Sequence, residues 1–375
     1  MGTPEPPQPG STTLYRSGRG RRGRREGRQW RGWRRPRRDG DRRDGGRGSG
    51  ARPPGRMSWP KRILVSVLAL VVLFIAFVAG LYLWAGTQTH TVAALAGYAG
   101  RPAAGKGTDW LLVGSDSRAH LTARQRRELH VGNDKGLNTD TVMMLHYGDS
   151  GPYLVSLPRD SYVPIPGHGT NKINAAYALG GPKLLTRTVE QATGLRMGHY
   201  AEVNFLGFVD LVNTLGGVRL CLPEPLRDER SGADFGRGCH DMNGTQALAY
   251  VRARYRDPRG DLGRVERQQR FLGAVADRTL GASVLLNPFR LVPVVDAGLS
   301  ALTVDEGTGV WDLGRMGWSM KRIADGGGRS VTVPVAGSGQ ERPGAGDVLV
   351  WDEAGARRLF DALRADRPIP TSGTN

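Results

Sequence analysis

One stretch constrains this chain more than any other. Ile63 to Trp84, ILVSVLALVVLFIAFVAGLYLW, runs 22 residues without a charge. As a helix rising 1.5 Å per residue it covers about 33 Å, enough to cross a hydrocarbon core of ~30 Å. Lys61 and Arg62 abut its start, and Tyr82 and Trp84 stand at its far end, where aromatic rings favour the membrane–water interface. A signal peptide has an apolar run of only about 7–15 residues, so an uncleaved anchor is expected. Basic residues stay on the cytoplasmic side, which places Ala85 and everything after it outside. No second stretch of this kind follows. The expectation is a single-pass cell-membrane protein with a cytoplasmic N-terminus and an extracytoplasmic domain.

Charge divides at the same place. Residues 1–62 carry 19 Lys and Arg against 5 Asp and Glu, a net of +14 out of +18, leaving 34 against 30 for residues 63–375. This first segment is rich in Arg, Gly and Pro and nearly free of aliphatic side chains. It has too little apolar surface to offset ordering entropy, so a disordered basic tail is expected. The excess charge therefore does not mark the folded part as a nucleic-acid binder. Trp30 and Trp33 could stack on bases, but a tail drawn to anionic lipid is the preferred reading, with nucleic acid not expected as a partner.

Beyond the apolar stretch, residues 85–108 are expected to be a linker, 109–367 one folded domain, and 368–375 a disordered end. The linker contains GRPAAGKG, Gly100 to Gly107, which imitates a phosphate-binding loop. It has Gly107 where the hydroxyl residue should directly follow Lys106, and it precedes a strand instead of following one. ATP is not expected outside the cell. No H-E-x-x-H helix and no G-x-S-x-G elbow occurs. Two cysteines exclude a disulfide-dense scaffold and a Cys-built zinc site. Outside the cytoplasm, Cys221 and Cys239 are expected to form a disulfide, worth roughly 3 kcal/mol for a loop of this size.

Three short strands bring polar residues together. WLLVG, Trp110 to Gly114, ends at SDSR; TVMMLHY, Thr141 to Tyr147, follows Asp140; YLVSL, Tyr153 to Leu157, ends at PRD. The turn residues GDSGP imply an antiparallel hairpin between the second and third strands. If the first also pairs antiparallel with the second, Asp116, Asp140 and Arg159 meet at one sheet edge, where ligands bind in such folds. The ordinary alternative is that both aspartates are turn residues.

Helical segments follow: Asn171 to Leu179, then Pro182 to Ala192, then Asn204 to Leu215. The mixture of strands and helices indicates an α/β layered domain. Thr245 to Leu272 carries seven arginines. Arg252 and Arg254 project to one side if the chain leaves its helix extended. Arg264 and Gln268 share a face of the next helix, and Asp261 could cap it. Such an array suits phosphate oxygens; the plainer alternative is a solvated, salt-bridged helix surface. VTVPV and DVLVW read as two further strands, and Glu353 to Arg364 as a closing helix.

Taken together, LLVGSDSR, LNTDTVMMLHY, LVSLPRD, NKINAAYALGG, VNFLGFVDLVNTLGGV, GTQALAYVRAR and DLGRVERQQRFL resemble, in order, the motifs of the LytR-CpsA-Psr family of cell-envelope phosphotransferases. The resemblance covers about Trp110 to Ala276 and includes the single N-terminal span. It implies a three-layer α/β/α domain with a central mixed sheet and an apolar tunnel for a polyprenyl chain. The tunnel is expected to be lined in part by Phe205, Phe208, Leu211 and Val212, with Gly207 leaving room.

The resemblance also implies Mg²⁺ held by Asp116 and Asp140, and pyrophosphate held by Arg159, Arg252, Arg254, Arg264 and Gln268. Asp261 matches a further acidic position, which makes Asp116, Asp140, Arg159, Arg252, Arg254 and Asp261 the candidate catalytic set. Asp160 is expected to orient Arg159. Asn138 stands where many members have Arg, which puts one phosphate contact in doubt. The implied reaction moves a glycopolymer of the teichoic-acid kind from a polyprenyl-pyrophosphate carrier onto peptidoglycan, with the pyrophosphate as the activated bond. Two alternatives stay open: hydrolysis of the same donor, and a membrane-tethered regulator whose Arg-rich tail binds nucleic acid.

Overall fold

The computed structural model describes residues 58–115, 139–253 and 260–370, apart from the side chains of residues 140, 260–262, 264, 265 and 337–339. The chain divides into two units, Met1–Arg62 and Ile63–Asn375. The first contributes only residues 58–62 to the description.

Helix α1, Trp59–Gln88, is 30 residues long and, among the described residues, is the one helix long and apolar enough to cross a membrane. The strands that follow are β1 (His90–Val92), β2 (Thr108–Ser115), β3 (Thr139–Tyr147), β4 (Tyr153–Leu157), β5 (Tyr162–Ile165) and β6 (Gly169–Lys172). Helix α2 (Ala175–Thr193) leads to β7 (His199–Asn204) and α3 (Phe205–Thr214). Then come β8 (Val218–Leu222), β9 (Leu226–Asp228), β10 (Ala233–Phe235), β11 (Gly238–Met242), α4 (Gly244–Arg252), α5 (Gly260–Thr279), α6 (Ala282–Leu285) and α7 (Pro288–Ala301). The chain closes with β12 (Leu302–Asp305), α8 (Val310–Ala324), β13 (Arg329–Thr332), β14 (Val335–Arg342), β15 (Gly346–Trp351) and α9 (Glu353–Arg364).

Seven strands form the central mixed sheet in the order β1-β12-β7-β2-β3-β4-β13. Its central strands read as unbroken apolar runs because both faces are covered. Leu111 and Val113 of β2, with Val142 and Met144 of β3, face a layer built from α2 and α9, where they meet Leu185, Val189, Leu359 and Phe360. Their neighbours Trp110, Met143 and Leu145 face the opposite layer, meeting Ala276 of α5, Leu299 of α7, Leu313 and Met320 of α8, and Ala85 at the end of α1. The period of two along a strand sends alternate residues to these two cores. Each fully buried Leu or Phe contributes roughly 1.5–3 kcal/mol. A third core joins α3, α4, α5 and β8 through Phe205, Val212, Leu220, Tyr250 and Phe271. Cys221 and Cys239 are register partners on β8 and β11 and form a disulfide.

Several expectations change. Residues 85–108 are not a bare linker: β1 pairs parallel with β12 at the sheet edge, Ala94 is buried, and Arg101 forms an ion pair with the buried Glu190 at 2.8 Å. Asn171 and Lys172 belong to β6, and the helix begins at Ala175. It runs on to Thr193, broken at Gly180 and Gly181, where Gly181 has φ +63°. VTVPV divides at Pro334 between β13 of the main sheet and β14, and DVLVW pairs with β14 in a separate ribbon.

Asp366 pins the C-terminal end of this domain to the β3–β4 turn. Its carboxylate accepts from the Asp149 N–H at 2.6 Å, the Ser150 N–H at 3.0 Å and the Ser150 hydroxyl at 2.6 Å. It also stands 3.5 Å from Nε2 of the buried His146, whose Nδ1 lies 2.8 Å from Asp109. Burial opposes the charge on this imidazole, but the two flanking carboxylates win and hold its pKa above the ordinary value. Burial pushes the Asp109 carboxyl up, while the Ser150 and Asp149 donors outweigh burial at Asp366 and hold it down to about 2.

Candidate functional site

The candidate site lies at the edge of the sheet where β2, β4 and β7 end. β2 runs parallel to β7, with Ser115 beside Asn204. β3 runs antiparallel to both β2 and β4, so its start lies at this same edge. The register passes from Gly114↔Thr141 to Ser115↔Thr139, which leaves Asp140 as the extra residue of a β-bulge. Asp140 therefore lies inside β3 and not ahead of it. Bulges are over-represented beside active sites because they interrupt the ladder and bend the strand. Gly114 allows the close approach here: a Cβ on it would meet Thr141 Cβ at 3.1 Å. Asp116, the residue after Ser115, lies outside the described residues.

Arg159 follows β4 at this edge, since Leu157 pairs with Val142. Its Nε is 3.4 Å from Asp160, but Asp160 makes the shorter ion pair with Lys172, at 3.0 Å. Asp160 thus bridges two cations, and Lys172, which the sequence reading did not single out, joins the edge by way of β6.

Arg252 is the last residue of α4, and its guanidinium carbon lies 5.3 Å from the centre of the Phe205 ring, the first residue of α3. Asn204 caps α3 by accepting from the Gly207 N–H at 2.8 Å, so strand β7 hands directly to the helix that carries the ring. Arg267, buried on α5, donates to the carbonyl of Ala253, the residue between Arg252 and Arg254. Gln268 donates to the Thr141 hydroxyl at 2.8 Å, which ties α5 to the bulged part of β3. Arg254 lies outside the described residues. Asp261 and Arg264 stand on the first turns of α5, with only their backbone described. Arg267, Thr141 and the Phe205 stack carried no separate sequence signal, because each acts through a partner distant in the chain.

Below this polar rim lies an apolar cavity of ≈ 230 Å³. Phe205, Phe208, Leu211 and Val212 of α3 all line it, with Phe271 of α5 and Met320 of α8 among the other walls. Phe208 and Phe271 stack with ring centres 4.7 Å apart. Arg252, Gln268, Thr141 and Asn204 supply its polar lining. Gly207 does not line it; a Cβ there would meet Ala301 Cα at 2.4 Å, so this glycine makes room for helix α7 and not for a ligand. A second groove, ≈ 460 Å³, runs between α5 and α8, and its lining includes Asp277 and Asp325, both paired with Lys321. Among the described residues no cluster of three His, Cys, Asp or Glu could hold a metal.

The α/β sheet thus carries, at its strand ends, an apolar cavity whose polar lining includes the Arg252 guanidinium. Residues 88–353 match the model of the LytR_cpsA_psr family. The chain is 42% identical over 307 residues to a probable cell wall biosynthesis protein, LcpB, of Corynebacterium glutamicum, covering 81% of this chain and 72% of that one. It is also 39% identical over 151 residues to a polyisoprenyl-teichoic acid–peptidoglycan teichoic acid transferase, TagU, of Enterococcus faecalis, covering 40% of this chain and 49% of that one. Among solved structures, a LytR-Csp2A-Psr enzyme from Actinomyces oris shares the fold with a TM-score of 0.54 and 22% identity, over 71% of this chain and 96% of that one. The chain belongs to the LytR-CpsA-Psr family.

Proposed function

We propose that this protein is a cell-wall transferase that moves a glycopolymer from a polyprenyl-pyrophosphate carrier onto peptidoglycan. One observation carries the proposal: a greasy cavity opens beneath a rim that includes Arg252 and Gln268, so one ligand with an apolar tail and an anionic head satisfies both. Cell-wall biosynthesis and teichoic acid transfer to peptidoglycan, in the names of the relatives above, agree with it. The domain acts outside the cell and α1 anchors it, with residues 1–62 inside and the catalytic domain running from β1 to residue 367.

In this reading Phe205, Phe208, Leu211 and Val212 hold the first isoprene units. Arg252, kept over Phe205, and Gln268, kept against Thr141, grip the pyrophosphate with Arg159, Arg254 and Arg264. Fixed guanidinium groups stabilise charge that spreads over the phosphoryl oxygens as the bond to the carrier breaks. The acceptor hydroxyl attacks the sugar-linked phosphorus, and polyprenyl phosphate leaves. In this reading Asp116 and Asp140 would hold Mg²⁺, which takes one or two carboxylates plus phosphates; the bulge keeps the Asp140 backbone at the sheet edge where β2 ends. When bound, the ion neutralises charge on the pyrophosphate. Asp261 lies near enough along α5 to Arg264 to serve the same head group.

The test is lipid capture. Full-length protein, extracted in mild detergent and examined by native mass spectrometry with polyprenyl pyrophosphate, should retain it in preference to a polyprenol of equal length. Equal retention of both would remove the role of the cationic rim.

A further inference from the structure

The helical layer that receives α1 carries nearly all the exposed grease of the domain. Outside α1, seven large apolar side chains stand exposed among the described residues: Leu179, Leu285, Leu286, Phe289, Trp311, Trp318 and Val335. Five of the seven lie on α6, in the α6–α7 turn, at the start of α7 or on α8, while Leu179 and Val335, the latter paired with Trp351, lie toward the opposite side. Phe289 is 89% exposed, Leu286 82%, Trp311 70% and Trp318 60%. Solvated proteins tolerate scattered apolar side chains, but a patch confined to one side marks a contact surface.

Helix α8 shows how that side is built. Leu313, Met316, Met320 and Ile323 pack inward. Trp311, Arg315, Trp318 and Arg322 follow at i, i+4, i+7 and i+11, all exposed, and form the outer stripe, although the Arg315 guanidinium carbon reaches to 5.0 Å from the centre of the Tyr147 ring. No carboxylate interrupts it. Tryptophan alternating with arginine on one helix face is the composition of a helix lying in a membrane interface.

We propose that the outer face of α8, with the α6–α7 turn, rests on the surface of the bilayer that α1 crosses. The proposal rests on α1 being a membrane span. The occupant follows from where α1 arrives: Ala85 is buried, and Trp84 packs, in the apolar cluster shared by α5, α7 and α8, so the chain enters on that side of the sheet. Two indoles about 10.5 Å apart along a helix would also suit a glycan strand. A glycan gives no role to Leu286 and Phe289, and nothing about it explains why the patch lies on the side α1 enters. The contact has a consequence for the cavity. Met316 and Met320, on the inner face of α8, line it. One helix, about 10 Å thick, would then separate the bilayer surface from the cavity's apolar interior.

The experiment uses the full chain in nanodiscs of phosphatidylcholine and phosphatidylglycerol. Spin labels are placed singly by Trp311→Cys, Trp318→Cys, Leu179→Cys and Phe74→Cys; the native cysteines are paired and do not react. Collision with oxygen, which partitions into lipid, is compared with collision with a water-soluble nickel chelate. All four sites are exposed, and melting curves verify the fold. Labels at 311, 318 and 74 should favour oxygen, and the label at 179 should favour nickel. If 311 and 318 match 179 while 74 favours oxygen, the surface faces water and the proposal fails, although α1 still spans. If 74 also favours nickel, the span is wrong and the proposal falls with it. Broadening of water-like 311 and 318 signals by soluble peptidoglycan fragments would overturn it in favour of a glycan platform.

Discussion

Two glycines on one helix interface should respond to the same substitution with opposite signs. Gly207 of α3 and Gly298 of α7 both face the α3–α7 contact. A Cβ on Gly207 would lie 2.4 Å from Ala301 Cα, 2.6 Å from Ala301 Cβ and 3.2 Å from Ala301 O. Carbon atoms rest at about 3.5–4.0 Å, and none of these atoms ends a flexible side chain, so α7 must move by roughly 1 Å. Overpacking of this kind costs about 1–3 kcal/mol, offset by up to about 1 kcal/mol of helix propensity. The net is roughly 1–2 kcal/mol lost, which lowers the melting temperature by about 2–8 °C for a domain of this size. A Cβ on Gly298 would meet only Leu211 Cδ1, at 3.9 Å, an ordinary contact. Gly298→Ala should therefore gain about 0.5–1 kcal/mol from the restricted unfolded chain. Thermal melting of the full chain in detergent measures both. Because α3 carries four walls of the cavity, Gly207→Ala should also raise KM for the polyprenyl donor. A Gly207→Ala protein that melts at or above wild type would refute the close approach and the reasoning built on it.

Three further outcomes are expected. Asp366→Ala removes the acceptor for three donors and a partner of His146, and should cost about 2–4 kcal/mol at neutral pH. Asp366 is held down to about 2, so its contribution is full above the unfolded carboxylate value and fades as pH falls from about 4 toward 2. His146 is held above 6.5, so its contribution is full below that value and fades as pH rises through the raised one. The stability gap between wild type and variant should narrow at both limits, and a gap constant from pH 2 to 9 would rule the clasp out. Arg252→Lys keeps the charge but loses the fork, and should lower kcat/KM about 10–100-fold through one charge-assisted contact. Phe205→Leu, which removes the stack beneath it and trims one wall of the cavity, should cost about 2–5-fold, and an unchanged rate would show that the stack does not position the arginine. Asp140→Asn should shift the Mg²⁺ dependence of activity to higher concentration with little change in melting; an unchanged metal curve with a lowered melting temperature would make the residue structural.

Local chemistry made much of this legible. The turn GDSGP between two apolar runs marks the β3–β4 hairpin, Asn204 and Gly216–Gly217 bracket α3, and the residues Glu353 to Arg364 coincide with α9 because Asp352 caps it. What stayed hidden depends on partners far along the chain. β1 is three residues with no periodicity, and only its pairing with Thr303 to Asp305 makes it a strand. The bulge at Asp140 is a property of the β2–β3 register and not of either sequence alone. Gly207 reads as space for a ligand until Ala301 is brought against it. Lys172 reads as part of a helix until β6 pairs with β5 and carries it to Asp160. The arginine array was visible as composition, whereas the contacts that order it, from Arg267 and Phe205, were not.

The central claim is that the chain transfers a glycopolymer to a peptidoglycan hydroxyl. Its most direct measurement is a reconstituted reaction with full-length protein, Mg²⁺, a polyprenyl-pyrophosphate-linked glycan and peptidoglycan oligomers in water enriched in oxygen-18. Mass spectrometry of the products should find polyprenyl phosphate and a phosphodiester joining glycan to peptidoglycan, both without the heavy isotope, in the wild type, and about 10–100-fold less of both with Arg252→Lys at the same enzyme level and subsaturating donor. A glycan phosphate that carries oxygen-18, with no joined product, would contradict transfer and make the protein a hydrolase of the same donor.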